Sequence, residues 1–294
     1  MTAAIEVSHL TKRFGKLAAL DDVSLSIEQG VITGLLGRNG AGKTVLMSLL
    51  TAQEWPTSGT ISVFGRDPAH SPDVLGKISF IRDNQRYPSG LKVGRLFRVA
   101  AFFHEGWDQQ LADRCVQTFS LSLDSDARKL SRGQLSALGA TIGLASRAPI
   151  TFFDEPYLGM DATARVLFYD LLLSDYAEHP RTVLLSTHLI DEMEPLLERV
   201  IVLDHGRVRR DAGADELRQL AVRVSGAWSD LQTLLPMALS TTQMGRLGSV
   251  LVEDTPDVAS LARRNGLNIE PVSLQELVAA YGMADHLIEE GALS

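Results

Sequence analysis

The stretch VITGLLGRNGAGKT, residues 31–44, decides the architecture of this chain. Its first half is a short apolar run that predicts a buried strand. Its second half, Gly37 to Thr44, matches the pattern G-x-x-x-x-G-K-[ST]. Helical pattern follows from Lys43 to about Gln53, so the motif stands between a strand and a helix, which is the context that a phosphate-binding loop requires. Its glycines let the backbone curl so that N–H groups and the helix N-terminus form an anion site.

The residues of this loop and a later pair of acids predict binding of phosphate and Mg²⁺. The predicted phosphate-binding residues are Gly37, Arg38, Asn39, Gly40, Ala41, Gly42, Lys43 and Thr44. Lys43 is predicted to reach the terminal phosphates and Thr44 to ligate Mg²⁺. The later run ITFFDE ends a hydrophobic strand with Asp154 and Glu155. An acid at that place can hold the Mg²⁺ of a bound nucleotide, and a second carboxylate can polarise the attacking water.

Length and composition exclude several classes of protein. The chain has 294 residues, which predicts about two domains or one large one. With 45% hydrophobic residues and a net charge of −8, a disordered chain and a strongly basic nucleic-acid binder are both disfavoured. The single cysteine, Cys115, excludes an intramolecular disulfide and a multi-cysteine metal site, and it fits a reducing, cytoplasmic setting. We expect neither a secretory signal nor a membrane-spanning helix.

The first 220 residues alternate between strand and helix patterns. The apolar runs at 31–37, 150–154 and 182–187 predict buried strands, and segments such as 164–177 predict helices. IVLDHGRVRRD predicts a hairpin with its turn at Asp204-His205-Gly206. Apolar runs of this length between helices favour an α/β fold with a parallel sheet covered on both faces.

The order of the motifs identifies a family. The phosphate loop, then LSRGQ at 130–134, then ITFFDEP, then a Thr-His pair after another strand resembles the ATP-binding subunit of ABC transporters over about residues 1–220. The resemblance implies a P-loop ABC-ATPase fold with a mixed sheet core, a helical subdomain at about 86–147 that carries LSRGQ, and a small α+β appendage. It also implies ATP and Mg²⁺ as cofactors and a head-to-tail pair of copies with two ATP molecules between them.

The same resemblance assigns roles to individual residues. Glu155 and His188 are the implied catalytic pair, and Thr44 and Asp154 are implied metal ligands. Phe14 matches the aromatic residue that stacks on adenine, with a core aromatic as the alternative. Asp161 matches a loop that crosses the dimer interface, and it also suits a helix N-cap. The signature residues that would face the ATP of the partner copy are Leu130, Ser131, Arg132, Gly133 and Gln134.

Two positions depart from the family pattern. Arg132 stands where the family commonly has Gly, and it either contacts phosphate or a partner, or points to solvent. The family places a Gln after the strand that is ISFI here, where it contacts ATP and Mg²⁺. Gln85 is the favoured candidate, although it lies about two residues late and Asp83 is nearer the usual place. The arginines of this region either dock a partner's cytoplasmic helix or form a solvated face; they are Arg82, Arg86, Arg95 and Arg98.

The chain is predicted to divide near residue 220. No lysine follows Lys129, and AVRVSGA and SVLVED predict strands of a small accessory domain over 221–294. SLQELVAAYG resembles the closing helix of exporter-type subunits. For this domain, regulation, dimer stabilisation, partner binding and plain packing are all open, whereas its acidity argues against nucleic acid.

The resemblance implies an ATP hydrolase that powers transport. Its partners would be a separate transmembrane permease subunit and a second ATPase copy, with no nucleic acid. The two copies would form a homodimer, with a heterodimer as the alternative. It would lie at the cytoplasmic face of the cell membrane, held peripherally through the membrane subunit. Export is favoured because LSRGQ and DNQRYP resemble bacterial exporter-type single-cassette ATPases. An importer ATPase and a soluble, non-transport ABC ATPase are the alternatives.

Overall fold

The computed structural model of the chain describes residues 2–83 and 85–281. Its strands are β1 (Ala3–Phe14), β2 (Leu17–Glu28), β3 (Ile32–Leu36), β4 (Ser58–Val63), β5 (Ile78–Arg82), β6 (Ile150–Asp154), β7 (Thr182–Thr187), β8 (Arg199–Asp204), β9 (Arg207–Gly213), β10 (Ala221–Ala227), β11 (Ala238–Met244), β12 (Leu247–Glu253) and β13 (Asn268–Pro271). Its helices are α1 (Lys43–Leu50), α2 (Pro72–Leu75), α3 (Val93–Phe103), α4 (Gln109–Thr118), α5 (Arg132–Ser146), α6 (Ala162–Glu178), α7 (Ile190–Met193), α8 (Ala214–Arg218) and α9 (Pro256–Arg264). A further helix covers 274–281.

The central sheet has the strand order β5-β6-β7-β3-β8-β9. Its first five strands are parallel, and β9 returns antiparallel to β8 through a turn at His205 and Gly206. Strands β3, β6 and β7 are buried at every residue because the sheet is covered on both faces. The prediction of an α/β fold with a mixed sheet is therefore confirmed.

This sheet separates two hydrophobic cores. Successive residues of a strand face opposite sides, so Phe152 packs with α1 and the strands β1, β2 and β4, whereas Phe153 packs with helices α3 to α6. The carboxyl ends of β3, β6 and β7 meet at one edge between these layers, since the three strands are parallel neighbours. That edge is where ligands bind in open α/β sheets.

A second sheet, with the order β2-β1-β4, was only partly foreseen. The run ISVFG predicted a strand that overlaps β4, but no strand was predicted before residue 31. The alternation in IEVSHLTKRF is broken at His9, whose φ is +50°. The register between β1 and β2 shifts between Val7 and Leu10, and such a bulge hides the period of two from the sequence.

The C-terminal strands form a third sheet, β11-β12-β10-β13, with its own core. The predicted strands AVRVSGA and SVLVED lie in β10 and β12, whereas β11, α9 and β13 were not predicted. One face of this sheet packs on α9 through Val224, Val250 and Val258. Leu251 and Leu277 belong instead to the core that Phe153 forms with helices α3 to α6. The division at residue 220 and the helical subdomain at 86–147 stay predictions, and residues 282–294 lie outside the described residues.

Candidate functional site

The phosphate loop runs from the end of β3 to the first turn of α1. Gly37 has a φ of +151°, and a Cβ there would lie 2.0 Å from Leu203 O. Gly42 has a φ of +105°, and a Cβ there would lie 2.6 Å from Ala19 O. Only glycine fits these two places. Because the N-cap is Gly42 and offers no side-chain acceptor, the N–H groups of the first turn of α1 stay available for an anion.

Lys43 closes this loop from within. Its side chain is buried, and Nζ donates hydrogen bonds to Gly37 O (2.6 Å) and Arg38 O (3.2 Å). Burial lowers the pKa of Lys43, while the charges of Glu155 and Asp154 act in the opposite direction. The ammonium group therefore stands inside the loop, where phosphate oxygens can replace the two carbonyl acceptors.

Two oxygen ligands suited to Mg²⁺ meet beside the loop. Thr44 Oγ1 donates to Asp154 Oδ2 at 2.7 Å, and Ser186 Oγ donates to Asp154 Oδ1 at 2.6 Å. Asp154 ends β6 and is directly opposite Ser186 of β7 in the sheet register. A hydroxyl and a carboxylate at this distance fit a magnesium ion that takes its other ligands from phosphate and water. Among the described residues no cluster of three His, Cys, Asp or Glu side chains could hold a metal alone.

Glu155 and His188 come together at the same edge. His188 Nδ1 lies 2.8 Å from Glu155 Oε2, which also accepts a hydrogen bond from the hydroxyl of Tyr157. The other oxygen, Oε1, is buried and has no hydrogen-bond partner among the described residues, and it lies 4.0 Å from Lys43 Nζ. Among the described residues, one carboxylate oxygen is therefore held by hydrogen bonds, and the other faces Lys43 of the phosphate loop without one.

The loop lines a cavity of about 350 Å³. Phe14 stands at its edge with 47% of its surface exposed and with Lys12 Nζ 4.8 Å from the ring centroid, so it is not a core aromatic. Its stacking on adenine stays a prediction. The cavity also contains Asp154 and Glu155 beside the phosphate loop.

The signature segment lines a different cavity. Ser131 caps α5: its Oγ accepts from Gln134 N (3.2 Å), and the Gln134 side chain accepts from Ser131 N (3.0 Å). Asp161 caps α6 and lines this second cavity together with Ser131 and Gly133. Among the described residues, the two cavities share no lining residue. One copy of the chain therefore does not place its signature residues against its own phosphate loop.

The two departures from the family pattern contact each other. Arg132 Nη2 lies 3.2 and 3.3 Å from the two carboxylate oxygens of Asp83, and its side chain covers Gly159. Gln85 lines a third cavity beside Tyr87 and Leu130. The structure does not bring Gln85 to the pair Thr44 and Asp154, so its role toward ATP and Mg²⁺ stays a prediction. Arg132 is neither purely solvated nor directed at its own phosphate loop.

Three side chains of this site were not predicted from the sequence. Tyr157 and Ser186 contact the acids or His188, and Thr187 contacts the hydroxyl of Tyr157. Ser186 and Thr187 end β7 directly before His188, which is a signal that the pattern already contained. Tyr157 gave a weaker signal, because an aromatic residue within a polar motif reads as a core residue.

Known proteins resemble this chain in sequence and fold. The family model described as ABC transporter matches residues 20–158. The chain is 30% identical over 223 residues to the daunorubicin/doxorubicin resistance ATP-binding protein DrrA of Streptomyces peucetius, covering 74% of this chain and 67% of that protein. This chain belongs to the ABC transporter family of ATP-binding proteins.

Other relatives of this ABC ATPase extend further along the chain. The Nod factor export ATP-binding protein I of Cupriavidus metallidurans is 27% identical over 293 residues, covering 94% of this chain and 96% of that protein. A solved ATP-binding subunit of an ABC transporter is 25% identical, with a TM-score of 0.66 over 74% of this chain and 92% of that one. As a member of this family, the chain binds ATP and hydrolyses it. Within residues 2–83 and 85–281, no helix is long and apolar enough to span a membrane.

Proposed function

We propose that this ABC ATPase powers an exporter through a separate membrane-spanning subunit, which holds it at the cytoplasmic face of the membrane. Export is supported by the relatives. One relative, which matches over nearly the full length of both chains, is named for Nod factor export. Another is named for daunorubicin and doxorubicin resistance. A bacitracin transport ATP-binding protein of Enterococcus faecalis is 26% identical over 224 residues.

The proposed mechanism of ATP hydrolysis rests on the hydrogen bonding of the Glu155 carboxylate. Its Oε2 is held by two hydrogen bonds, and its buried Oε1 faces Lys43 without a partner among the described residues. A water molecule between Oε1 and the γ-phosphate would lose its proton to Oε1 as its oxygen bonds to phosphorus. The bond to the ADP oxygen breaks in the same displacement. His188 adjoins Glu155 and would position this water and the phosphate.

The remaining residues would hold the substrate. Lys43 and the first N–H groups of α1 would bind the phosphates, and Phe14 would cover the adenine ring. Thr44 and Asp154 would hold Mg²⁺, which supplies positive charge against the phosphate oxygens when bound. Gln85 would reach this cluster only after a movement of the segment that follows β5.

A second copy would complete each site. The signature cavity with Ser131, Gly133 and Asp161 is open and separate from the phosphate loop of the same chain. The start of α5 would add the positive end of its helix dipole to phosphates that are bound by the other copy. ATP would then join two copies head to tail, and hydrolysis would release them.

The membrane subunit would dock on helix α3. Phe102 and Phe103 are 84% and 67% exposed at its end, and they line one shallow cavity with Arg95 and Arg98. Within the described part of the chain, neither arginine is in a salt bridge. An exposed aromatic pair beside two such cations is complementary to a cytoplasmic helix with apolar and acidic residues.

Co-purification from native membranes tests this proposal. We would tag a Glu155→Gln variant, add ATP with Mg²⁺, solubilise gently and identify the bound proteins by mass spectrometry. Recovery of a multi-spanning protein at about one copy per ATPase would support the proposal. Recovery of soluble partners only, from a variant that binds ATP and dimerises, would contradict it and favour a non-transport ABC ATPase.

The docking surface and the direction of transport need separate controls. Arg98→Glu should reduce recovery of the membrane protein, whereas Arg263→Glu on the exposed face of α9 is the matched charge reversal and should leave it unchanged. Equal recovery with both variants would contradict docking on α3. In inside-out vesicles that contain the complex, ATP outside should drive accumulation of the transported compound inside. Release of preloaded compound would indicate import instead.

A further inference from the structure

We infer that Tyr157 is a positioning residue for ATP hydrolysis, which fixes the Glu155 carboxylate so that Oε1 faces the attacking water. This inference rests on the proposed role of Glu155 and adds a residue to it. It starts from the contacts of one phenolic oxygen, which joins three residues of the site.

The ring of Tyr157 is anchored before its hydroxyl makes any bond. Only 1% of the residue is exposed, and the ring packs in the core that Phe153 forms with helices α3 to α6. It lies two residues beyond Glu155 in the loop that joins β6 to α6. A side chain that is held on all sides by packing brings its polar atom to one place, and that place is beside Glu155 Oε2.

The hydrogen-bond directions around this oxygen follow from its neighbours. His188 N–H donates to it at 3.1 Å, and Thr187 Oγ1 lies 2.5 Å away. A carboxylate can only accept, so the phenol donates its one proton to Glu155. Thr187 must then donate to the phenol, while its own oxygen accepts from Leu189 N at 2.9 Å. Every donor has an acceptor in this arrangement. With an ionised Glu155, no other placement of the two hydroxyl protons gives that result.

The phenol remains a donor throughout the working range of pH. Burial, followed by the negative charge of Glu155, raises the pKa of Tyr157 well above its ordinary value. The hydroxyl therefore stays protonated and does not act as a base. Its contribution is geometric: together with His188 Nδ1 it holds Oε2 and leaves Oε1 as the oxygen that accepts a proton.

The ring of Tyr157 without its hydroxyl would not fix the orientation of the Glu155 carboxylate. Glu155 has a φ of +50°, and its N–H donates to Ser186 Oγ at 3.1 Å, so its backbone is already fixed. The side chain has further rotatable bonds, and Lys43 at 4.0 Å attracts either oxygen. Without the phenol, His188 would be the only hydrogen-bond donor to this carboxylate among the described residues, and that side chain is 43% exposed.

The test is a Tyr157→Phe variant of the full chain, assayed for ATP hydrolysis per ATP-binding site. We expect kcat to fall about ten- to one-hundred-fold, the effect of losing one hydrogen bond to a charged group. The KM for ATP should stay within about two-fold, because Tyr157 does not line the nucleotide cavity.

Tyr176→Phe is the matched control. Its hydroxyl also donates to a carboxylate, Glu198 Oε1 at 2.7 Å, and lies 2.5 Å from Gly30 O, but neither residue belongs to the site. Its kcat and its KM for ATP should equal those of the wild type. Because turnover is expressed per ATP-binding site, a loss of folded protein does not imitate the expected result.

The outcomes separate this inference from the proposal on which it rests. A Tyr157→Phe variant with unchanged kcat would overturn it, as would an equal loss of kcat in Tyr176→Phe. If Glu155→Gln abolishes turnover while Tyr157→Phe is normal, only the role of Tyr157 is wrong. If Glu155→Gln retains turnover, the proposed base is wrong, and this inference fails with it.

Discussion

Replacing Glu155 with Gln tests the central chemistry with the smallest change in shape. The amide oxygen of Gln should take the place of Oε2, because Tyr157 and His188 both offer donors there. The amide nitrogen then occupies the place of Oε1, 4.0 Å from Lys43 Nζ, and it cannot accept a proton from water. The variant therefore loses the base and keeps the packing of the site.

The size of the effect follows from this exchange. A positioned general base contributes about 10²- to 10⁴-fold to the rate, so kcat should fall by that factor, or about 3–5 kcal/mol of barrier. Binding should respond in the opposite direction. A negative charge beside the phosphate site is removed and Lys43 is released from it, so ATP affinity should stay equal or rise, by up to about tenfold.

Two assays are needed because the two effects have opposite signs. Single-turnover hydrolysis with labelled ATP measures the chemical step, and equilibrium dialysis measures affinity. Glu178→Gln, at the exposed end of α6, is the control for the loss of one carboxylate. Normal turnover by the Glu155→Gln variant, or a loss of turnover that is explained by lost ATP binding, would refute the assignment of Glu155 as the base.

Three further predictions concern the rest of the molecule. Thr44→Ala should weaken ATP binding when Mg²⁺ is present and leave binding in EDTA unchanged; equal affinities with and without metal would refute the role of the hydroxyl. Arg132→Asp should lower ATP hydrolysis, and the double variant with Asp83→Arg should regain activity; no rescue would show that the ion pair is incidental. Asp175→Asn should lower the free energy of unfolding by about 3–5 kcal/mol in urea titrations, because this carboxylate is buried between Arg147 and Arg181. A loss below about 1 kcal/mol would contradict that reading, since surface pairs have that value.

The catalytic edge was the part of the molecule most open to prediction. Strands β3, β6 and β7 read as apolar runs because both of their faces are buried, and each is followed by residues of the site. Strand ends predicted that Lys43, Asp154 and Glu155 lie at one edge of the sheet, and the family resemblance added His188. The N-terminal strands escaped prediction, since the bulge near His9 removes the alternation that reveals a half-buried strand.

Hydrogen-bond partners were beyond sequence reasoning. Gln85 is the right type of residue for a nucleotide contact, yet it lines a cavity with Tyr87 and Leu130, apart from the cavity at the phosphate loop. Arg132 and Asp83 are 49 residues apart, and only the packing of α5 beside β5 brings them within 3.2 Å. Their roles in an assembled dimer stay predictions.

The sequence by itself determined the family and its ATP-hydrolysing activity, because the ordered motifs resemble those of ABC ATPases. It also determined the α/β sheet, because buried parallel strands read as apolar runs. The tertiary structure alone decided which oxygen of Glu155 is held by hydrogen bonds and which has no hydrogen-bond partner among the described residues. That outcome depends on Tyr157, whose ring is positioned by a core assembled from distant helices and strands. A motif specifies the types of side chain that are present, whereas packing in three dimensions specifies the direction in which each polar atom points.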